Sequence, residues 1–311
     1  MKSQELKEIF AEGIFDGEVR FMEPMRNHTS LRIGGPADIF AIPRDLLSLI
    51  NLHMHLTRNH VPIFPLGGGT NILVKDGGIE GAVISFRSFK NIEAIKEDAG
   101  HVNISVSAGT LLQSLVHYAK ENGYSGMEGL AGIPGTVGGA ICGNAGAFGY
   151  EIKDVLISVE IMDIEGKIER FNKEGIEFGY RSSGILPSEL LLSSEIKLKK
   201  DRKEDVLSRV ENFLRIKREK QPIWEPSAGC VFKNPPGLAA GKLIDEAGCK
   251  GMKIGDVEVS NVHANFFVNK GNADASDFIR LMEEVSHRVK EKFGVILELE
   301  IKIVGRDFVN G

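Results

Sequence analysis

Cysteine is scarce. Cys142, Cys230 and Cys249 are an odd number of thiols, far apart, with no CxxC spacing and no His nearby. That excludes a small disulfide scaffold, points away from zinc, and predicts a reducing compartment with no metal site. Tryptophan occurs once and tyrosine four times. An excess of basic charge is also missing: 38 Lys and Arg stand against 43 Asp and Glu, a net charge of −5 with a pI near 6.0. A nucleic-acid protein would show a basic stripe and a higher pI, so nucleic acid is not expected as a partner. The opening MKSQELKEIFAEGIF carries charge and no apolar signal core, so the chain reads as a mature cytosolic protein. There is no internal repeat and no low-complexity segment. With 42% hydrophobic and 26% charged residues over 311 positions, disorder, collagen and coiled coil are excluded, and two or three domains are expected.

Glycine is abundant and unevenly placed. Residues 65–149 hold 18 of the 36 glycines. Within them, 129–150 (GLAGIPGTVGGAICGNAGAFGY) is uncharged and long enough for a membrane span. Its eight glycines, Pro134 and Asn144 would destabilise such a helix, so no membrane insertion is expected. Either it makes tight turns between strands or its backbone lies against a ligand, since glycine lets amides approach closely. A second cluster, Gly67-Gly68-Gly69-Thr70-Asn71, follows the apolar run Val61–Leu66. Successive amides in such a turn form an anion-binding nest. It fits neither GxGxxG nor a Walker loop. Two glycine loops of different type, about 65 residues apart, suit one extended phosphate-bearing cofactor.

Hydrophobic spacing predicts a strand at 36–42, a helix at 44–58, and a helix capped by Thr110 with Leu111, Leu112, Leu115, Val116 and Ala119 inward. Residues 153–171 read as a hairpin turning at Glu165-Gly166. Helices are predicted within 199–220, at 239–247 and at 276–293. A closing strand is predicted from Val295 to Val304, with Leu297, Leu299, Ile301 and Ile303 on one face and Glu298, Glu300 and Lys302 on the other. The mixed order makes the class α+β.

Taken singly, Arg181 is a surface arginine, Cys230 a buried small residue and Glu300 part of a solvated face. Several motifs in order change this: HTSLRIGGPAD, PLGGGTNILV, GLAGIPGTVGGAICGNAGAFG, YRSS, KQP, SAGCVFKNP, AGKLIDEAG, VSNVHANFFVN and LELEIKIVG. Together, from about residue 20 to 305, they resemble the UDP-N-acetylenolpyruvoylglucosamine reductases (UDP-N-acetylmuramate dehydrogenases), flavoenzymes of peptidoglycan synthesis. The resemblance implies a bipartite FAD-binding domain of the vanillyl-alcohol-oxidase (PCMH) type and a C-terminal α+β substrate-binding domain. Their expected bounds are 1–75 and 76–199 for the FAD subdomains, with 300–311 returning to the first, and 200–299 for the substrate domain.

It implies that Gly67, Gly68, Gly69, Thr70, Asn71 and Ile72 form the FAD pyrophosphate loop. Ile133, Pro134, Gly135, Thr136, Val137, Gly138 and Gly139 form the second FAD loop. Arg181 steadies the substrate carboxylate, Glu300 works with it, and Cys230 stands where most members have the serine proton donor. Tyr180, Lys220 and Asn234 match positions that hold the UDP-sugar. The separation of about 49 residues from Arg181 to Cys230 suits the shorter family type, without an extra substrate-covering loop. NADPH is the expected hydride donor and a cytoplasmic monomer the expected state. Two rival classes stay open: another flavin oxidase of the same fold, and a nucleotide-binding module without turnover. Many such oxidases attach FAD through His, and no His occurs between residues 118 and 262, so FAD is expected to be non-covalent.

Overall fold

The computed structural model describes residues 15–307, so the amphipathic stretch read at the N-terminus lies largely outside the described residues. The described chain divides into two compact units. The first comprises 15–21, Ile39–Gly68 and Gly81–Ile216; the second comprises Met22–Asp38, Gly69–Glu80 and 217–307.

The first unit is built on two sheets. One has the strand order Gly17–Pro24, Pro36–Pro43, Ile79–Ser85, Ile63–Leu66, the last two parallel. The other runs Ile168–Asn172, Leu156–Met162, Leu190–Lys200, His101–Ser107, Ile92–Glu97 and is antiparallel, with Tyr124–Ser125 against the long strand. The predicted hairpin is present: Met162 faces Ile168 across the turn that holds Glu165 and Gly166. Leu49, Leu52 and Leu56 of the helix Leu46–Arg58 join a core with Ile104, Leu112, Leu115, Val116, Ile141 and Ile196. Asp45 starts that helix by accepting from the Ser48 N–H at 2.8 Å.

Thr110 does not cap the next helix, Leu112–Glu121. Its hydroxyl donates to the Asn91 carbonyl at 3.2 Å, Leu111 is the N-cap residue, and the Leu111 side chain is 51% exposed. The helix begins one residue later than the capping pattern suggests, so Thr110 stands just before the cap position. The uncharged stretch 129–150 becomes turns around the short helix Val137–Cys142. Among the described residues no helix is long and apolar enough to cross a membrane.

The second unit has its own core and a sheet ordered Ser227–Cys230, Phe266–Asn269, Val257–Val259, Lys253–Ile254. The helices Ala240–Glu246 and Ala275–Phe293 add Leu243, Ile244, Phe278, Leu281, Met282 and Val285 to that core. The closing strand is shorter than its alternation suggests. Only Lys302–Val304 is strand, parallel to Ile72–Val74. Leu297 and Ile301 are buried as read, but Leu299 is 39% exposed. The segment meets Phe232 through a single bridge at Leu299 before it reaches its partner strand, so it shifts neighbours halfway along.

Candidate active site

In the first unit the two glycine loops meet. Thr136 caps the helix Val137–Cys142, its Oγ1 accepting from the Gly139 N–H at 3.3 Å. A Cβ on Gly67 would lie 2.5 Å from that Oγ1, so only glycine lets the loops close on each other. Val137 N–H and Gly138 N–H donate to Thr110 O and Ala108 O at 2.8 and 2.9 Å. Gln113 secures the approach to this loop. Its Nε2 donates to the Leu130 and Ile133 carbonyls at 3.1 and 2.7 Å, and its Oε1 accepts from the Gly132 N–H at 2.7 Å. Sequence reading missed Gln113. Its one signal is a polar residue amid the apolar positions of a helix.

The same unit carries Tyr180 and Arg181, the two turn residues of a hairpin between Phe178–Gly179 and Ser182–Ser183. Arg181 has φ +56°, which a non-glycine side chain rarely adopts. Its Nη2 donates to the Gly146 carbonyl at 2.6 Å, and its guanidinium lies 5.2 Å from the Tyr180 ring centroid. Gly146 belongs to the segment that leaves the second glycine loop. That loop and the arginine are thus one local construction.

The second unit gathers the other residues. Asn71 Nδ2 donates to the Glu300 carbonyl at 3.1 Å, and Lys302 N–H to the Asn71 carbonyl at 3.1 Å. Ile72 pairs with Lys302. The Glu300 N–H donates to the carbonyl of Val231, the residue after Cys230, at 2.8 Å. Cys230 ends a strand whose register shifts between Ser227 and Cys230, with Gly229 between them at φ +78°. A bulge of this kind re-aims the side chain that follows it. The three cysteines are thiols, Cys230 partly accessible and Cys249 buried, with burial pushing the Cys249 thiol up. Asn234 uses its side-chain oxygen to accept from Ala240 N–H at 3.0 Å, which leaves its NH2 group for other work. Lys220 ends the helix Lys203–Lys220 and is exposed.

Each unit therefore pairs one stretch of glycine-loop backbone with candidate catalytic side chains. The residues fit FAD: close backbone from both loops, no side chain where they meet at Gly67, and amides for a pyrophosphate.

Comparisons with known proteins agree. Residues 37–172 match the family described as FAD binding domain, and residues 221–304 match the C-terminal domain of UDP-N-acetylenolpyruvoylglucosamine reductase. The reductase of Geotalea uraniireducens (strain Rf4) is 41% identical over 291 residues, covering 94% of this chain and 95% of the relative. That of Caldanaerobacter subterraneus subsp. tengcongensis is 43% identical over 301 residues, covering 96% and 97%. The crystal structure of the enzyme from Thermus caldophilus has a TM-score of 0.78 at 36% identity, over 93% of this chain and 99% of that one. The wild-type BBE-like 1 protein of Physcomitrella patens (TM-score 0.50, 18% identity, 63% of this chain and 44% of that one) shares the fold alone. The fold is α+β, an FAD-binding domain of the PCMH type with a C-terminal reductase domain. The chain belongs to the UDP-N-acetylenolpyruvoylglucosamine reductase family, FAD-dependent oxidoreductases of peptidoglycan synthesis.

Proposed function

We propose that the chain reduces the enolpyruvyl ether of UDP-N-acetylglucosamine-enolpyruvate to UDP-N-acetylmuramate with electrons from NADPH. The observation that carries this reading is the place of Glu300. Its carbonyl accepts from Asn71 of the first glycine loop, and its amide donates to Val231 beside Cys230. One segment thus ties the cofactor loop to an acid and a thiol.

Gly67–Ile72 and Ile133–Gly139 would hold FAD without a covalent link, and the cofactor so held would supply the hydride for the methylene carbon. The chain's own residues deal with the charge. As the new C–H bond forms, negative charge gathers on the adjacent carbon and the carboxylate. Arg181 offers a bidentate guanidinium to that carboxylate, and Glu300 works with it. Cys230 then gives its S–H proton to the adjacent carbon, forming the second C–H bond and leaving a thiolate that solvent reprotonates. A thiol suits the task, with an ordinary pKa of about 8.5, far below that of a hydroxyl. Tyr180, Lys220 and Asn234 hold the UDP-sugar. The three-part division at residues 75 and 199, a monomeric state and a cytoplasmic location belong to the same reading.

The test is spectroscopic. The purified protein should be yellow, acid precipitation should release all the colour, NADPH should bleach it, and the enolpyruvyl UDP-sugar should restore it. Colour that stays in the pellet contradicts the non-covalent link. Colour restored by simple sugars or alcohols, and not by the UDP-sugar, identifies an oxidase of another specificity.

A further inference from the structure

The helix Val137–Cys142 closes in a Schellman arrangement. After the C-cap Gly143, the Asn144 N–H donates to Ile141 O at 3.1 Å and the Ala145 N–H to Ala140 O at 2.8 Å. The residue after the C-cap takes left-handed backbone there, and glycine is its usual occupant. This segment is full of glycine, yet the position holds asparagine at φ +39°. The Asn144 side chain is fully buried. Its Nδ2 donates at 2.9 Å to the carbonyl of Gly179, 35 residues on and two before Arg181. Its Oδ1 is buried with no hydrogen-bond partner. An unmatched buried acceptor lowers stability. Stability at the helix end therefore does not explain the residue, but the bond to Gly179 does.

That bond is one of three. Ser183 Oγ donates to Cys142 O at 3.0 Å, and Arg181 Nη2 donates to Gly146 O at 2.6 Å. Residues 142, 144 and 146 thus dock the hairpin at 183, 179 and 181. Two non-glycine residues in left-handed backbone, Asn144 and Arg181, sit in this one contact. Such strain persists where surroundings over-determine it, and it clusters at functional sites. Glu151 completes the frame. Its carboxyl is held below the ordinary range by Lys153 first, with Asn144 and Arg181 adding to this against partial burial.

We propose that Asn144 is a positioning residue for Arg181, acting through the Gly179 carbonyl to fix the turn that presents the guanidinium to the substrate carboxylate. The inference rests on the function proposed above. A stabiliser aimed beforehand needs no reorganisation when charge develops. Without the Asn144 amide the Tyr180-Arg181 turn would lose its anchor on the strand that leads into it, while the glycine loop would keep its own backbone bonds to Ala108 and Thr110.

Two variants, purified with FAD, test this. Asn144→Gly keeps the left-handed backbone and removes the amide. Asn144→Asp keeps the size and sets an acceptor against the Gly179 carbonyl. Stopped-flow absorbance would follow reduction by NADPH and reoxidation by the enolpyruvyl UDP-sugar separately. Reduction should stay within about twofold, and reoxidation should slow roughly 10–100-fold, the scale of a displacement near 1 Å. Adding Asn144→Gly to Arg181→Lys should slow reoxidation little beyond Arg181→Lys alone, because both act through one group. Amide hydrogen exchange across 179–183 should quicken in both single variants. Wild-type reoxidation, equal loss in both half-reactions, fully multiplicative effects with Arg181→Lys, or unchanged exchange would each overturn the proposal. If the wild-type protein is not reoxidised by the UDP-sugar, the functional reading fails instead, and the exchange measurement still decides whether Asn144 holds the turn.

Discussion

Asn265 and Phe232 exchange two hydrogen bonds. The Phe232 N–H donates to Asn265 Oδ1 at 2.9 Å, and Asn265 Nδ2 donates to the Phe232 carbonyl at 2.7 Å. The Asn265 carbonyl accepts from the Val231 N–H at 2.8 Å as well. All of this is buried, and it fixes the chain two residues past Cys230. Asn265→Ala leaves a donor and an acceptor of Phe232 unmatched, so stability should fall by about 2–4 kcal/mol. Urea unfolding would show it. Asn265→Asp should lose at least as much, because it keeps the acceptor for the Phe232 N–H but sets a buried carboxylate against the Phe232 carbonyl.

Gly67→Val should give a folded protein that loses its yellow colour on gel filtration. The added side chain would collide with Thr136 Oγ1 where the two glycine loops close. Far-ultraviolet circular dichroism should stay normal while the absorbance near 450 nm (roughly, for bound flavin) falls. Full retention of FAD would show that this contact does not shape the cofactor site.

Cys230→Ala should still be bleached by NADPH but should regain its colour slowly with the enolpyruvyl UDP-sugar, by roughly 10²–10⁴-fold for a lost general acid. Cys230→Ser should keep substantial turnover, since a hydroxyl can occupy the same bulge. Iodoacetamide should inactivate the wild-type enzyme, with bound UDP-sugar protecting it. A Cys230→Ala enzyme of wild-type rate would make the thiol a packing residue.

Arg209→Ala should destabilise the first unit. Glu128 is 1% exposed, and its carboxyl accepts from Ser125 Oγ, Gly126 N–H and Arg209. Burial pushes this carboxyl up, but the backbone donors, Ser125 and Arg209 together hold it below its ordinary value. Removing the guanidinium leaves a buried charge short of partners. Because Arg209 is 36% exposed, the loss should be about 2–3 kcal/mol, less than the 3–5 of a fully buried pair. Glu128→Gln should restore part of the loss in the Arg209→Ala background.

Stability should fall as pH drops below about 6.5. His53 is 2% exposed and its Nδ1 has no hydrogen-bond partner; burial lowers its pKa, against a weaker pull from Asp163. Burial, followed by Lys250, lowers His263 too. Above the ordinary value of 6.5 both states are neutral, so pH has no effect through these groups. Below it the unfolded chain takes a proton that the folded chain refuses, and stability drops by up to about 1.4 kcal/mol per pH unit for each group. His53→Gln should flatten the acid slope of the unfolding free energy between pH 6.5 and 5. An unchanged slope would mean that His53 titrates normally in the fold.

Local chemistry determined a good part of this protein. Glycine density marked both backbone loops, since few residues other than glycine allow such close approach. Apolar spacing placed the helices Leu46–Arg58 and Ala275–Phe293 within a residue or two, and alternation gave the 156–172 hairpin. Motif order identified the family. The tertiary structure alone decided which polar side chains hold the site. Gln113 serves carbonyls 17 and 20 residues away, Asn265 serves Phe232 at 33, and Asn144 serves Gly179 at 35. No periodicity records such pairings, because one hydrogen bond between distant segments needs a single matched donor and acceptor and leaves no repeat. The same reason explains Thr110 and Leu299. Thr110 has the right residue type for a cap and bonds to Asn91 instead. Leu299 has the right alternation for a core position, yet it makes only an isolated bridge to Phe232, and the strand that pairs with Ile72 begins at Lys302.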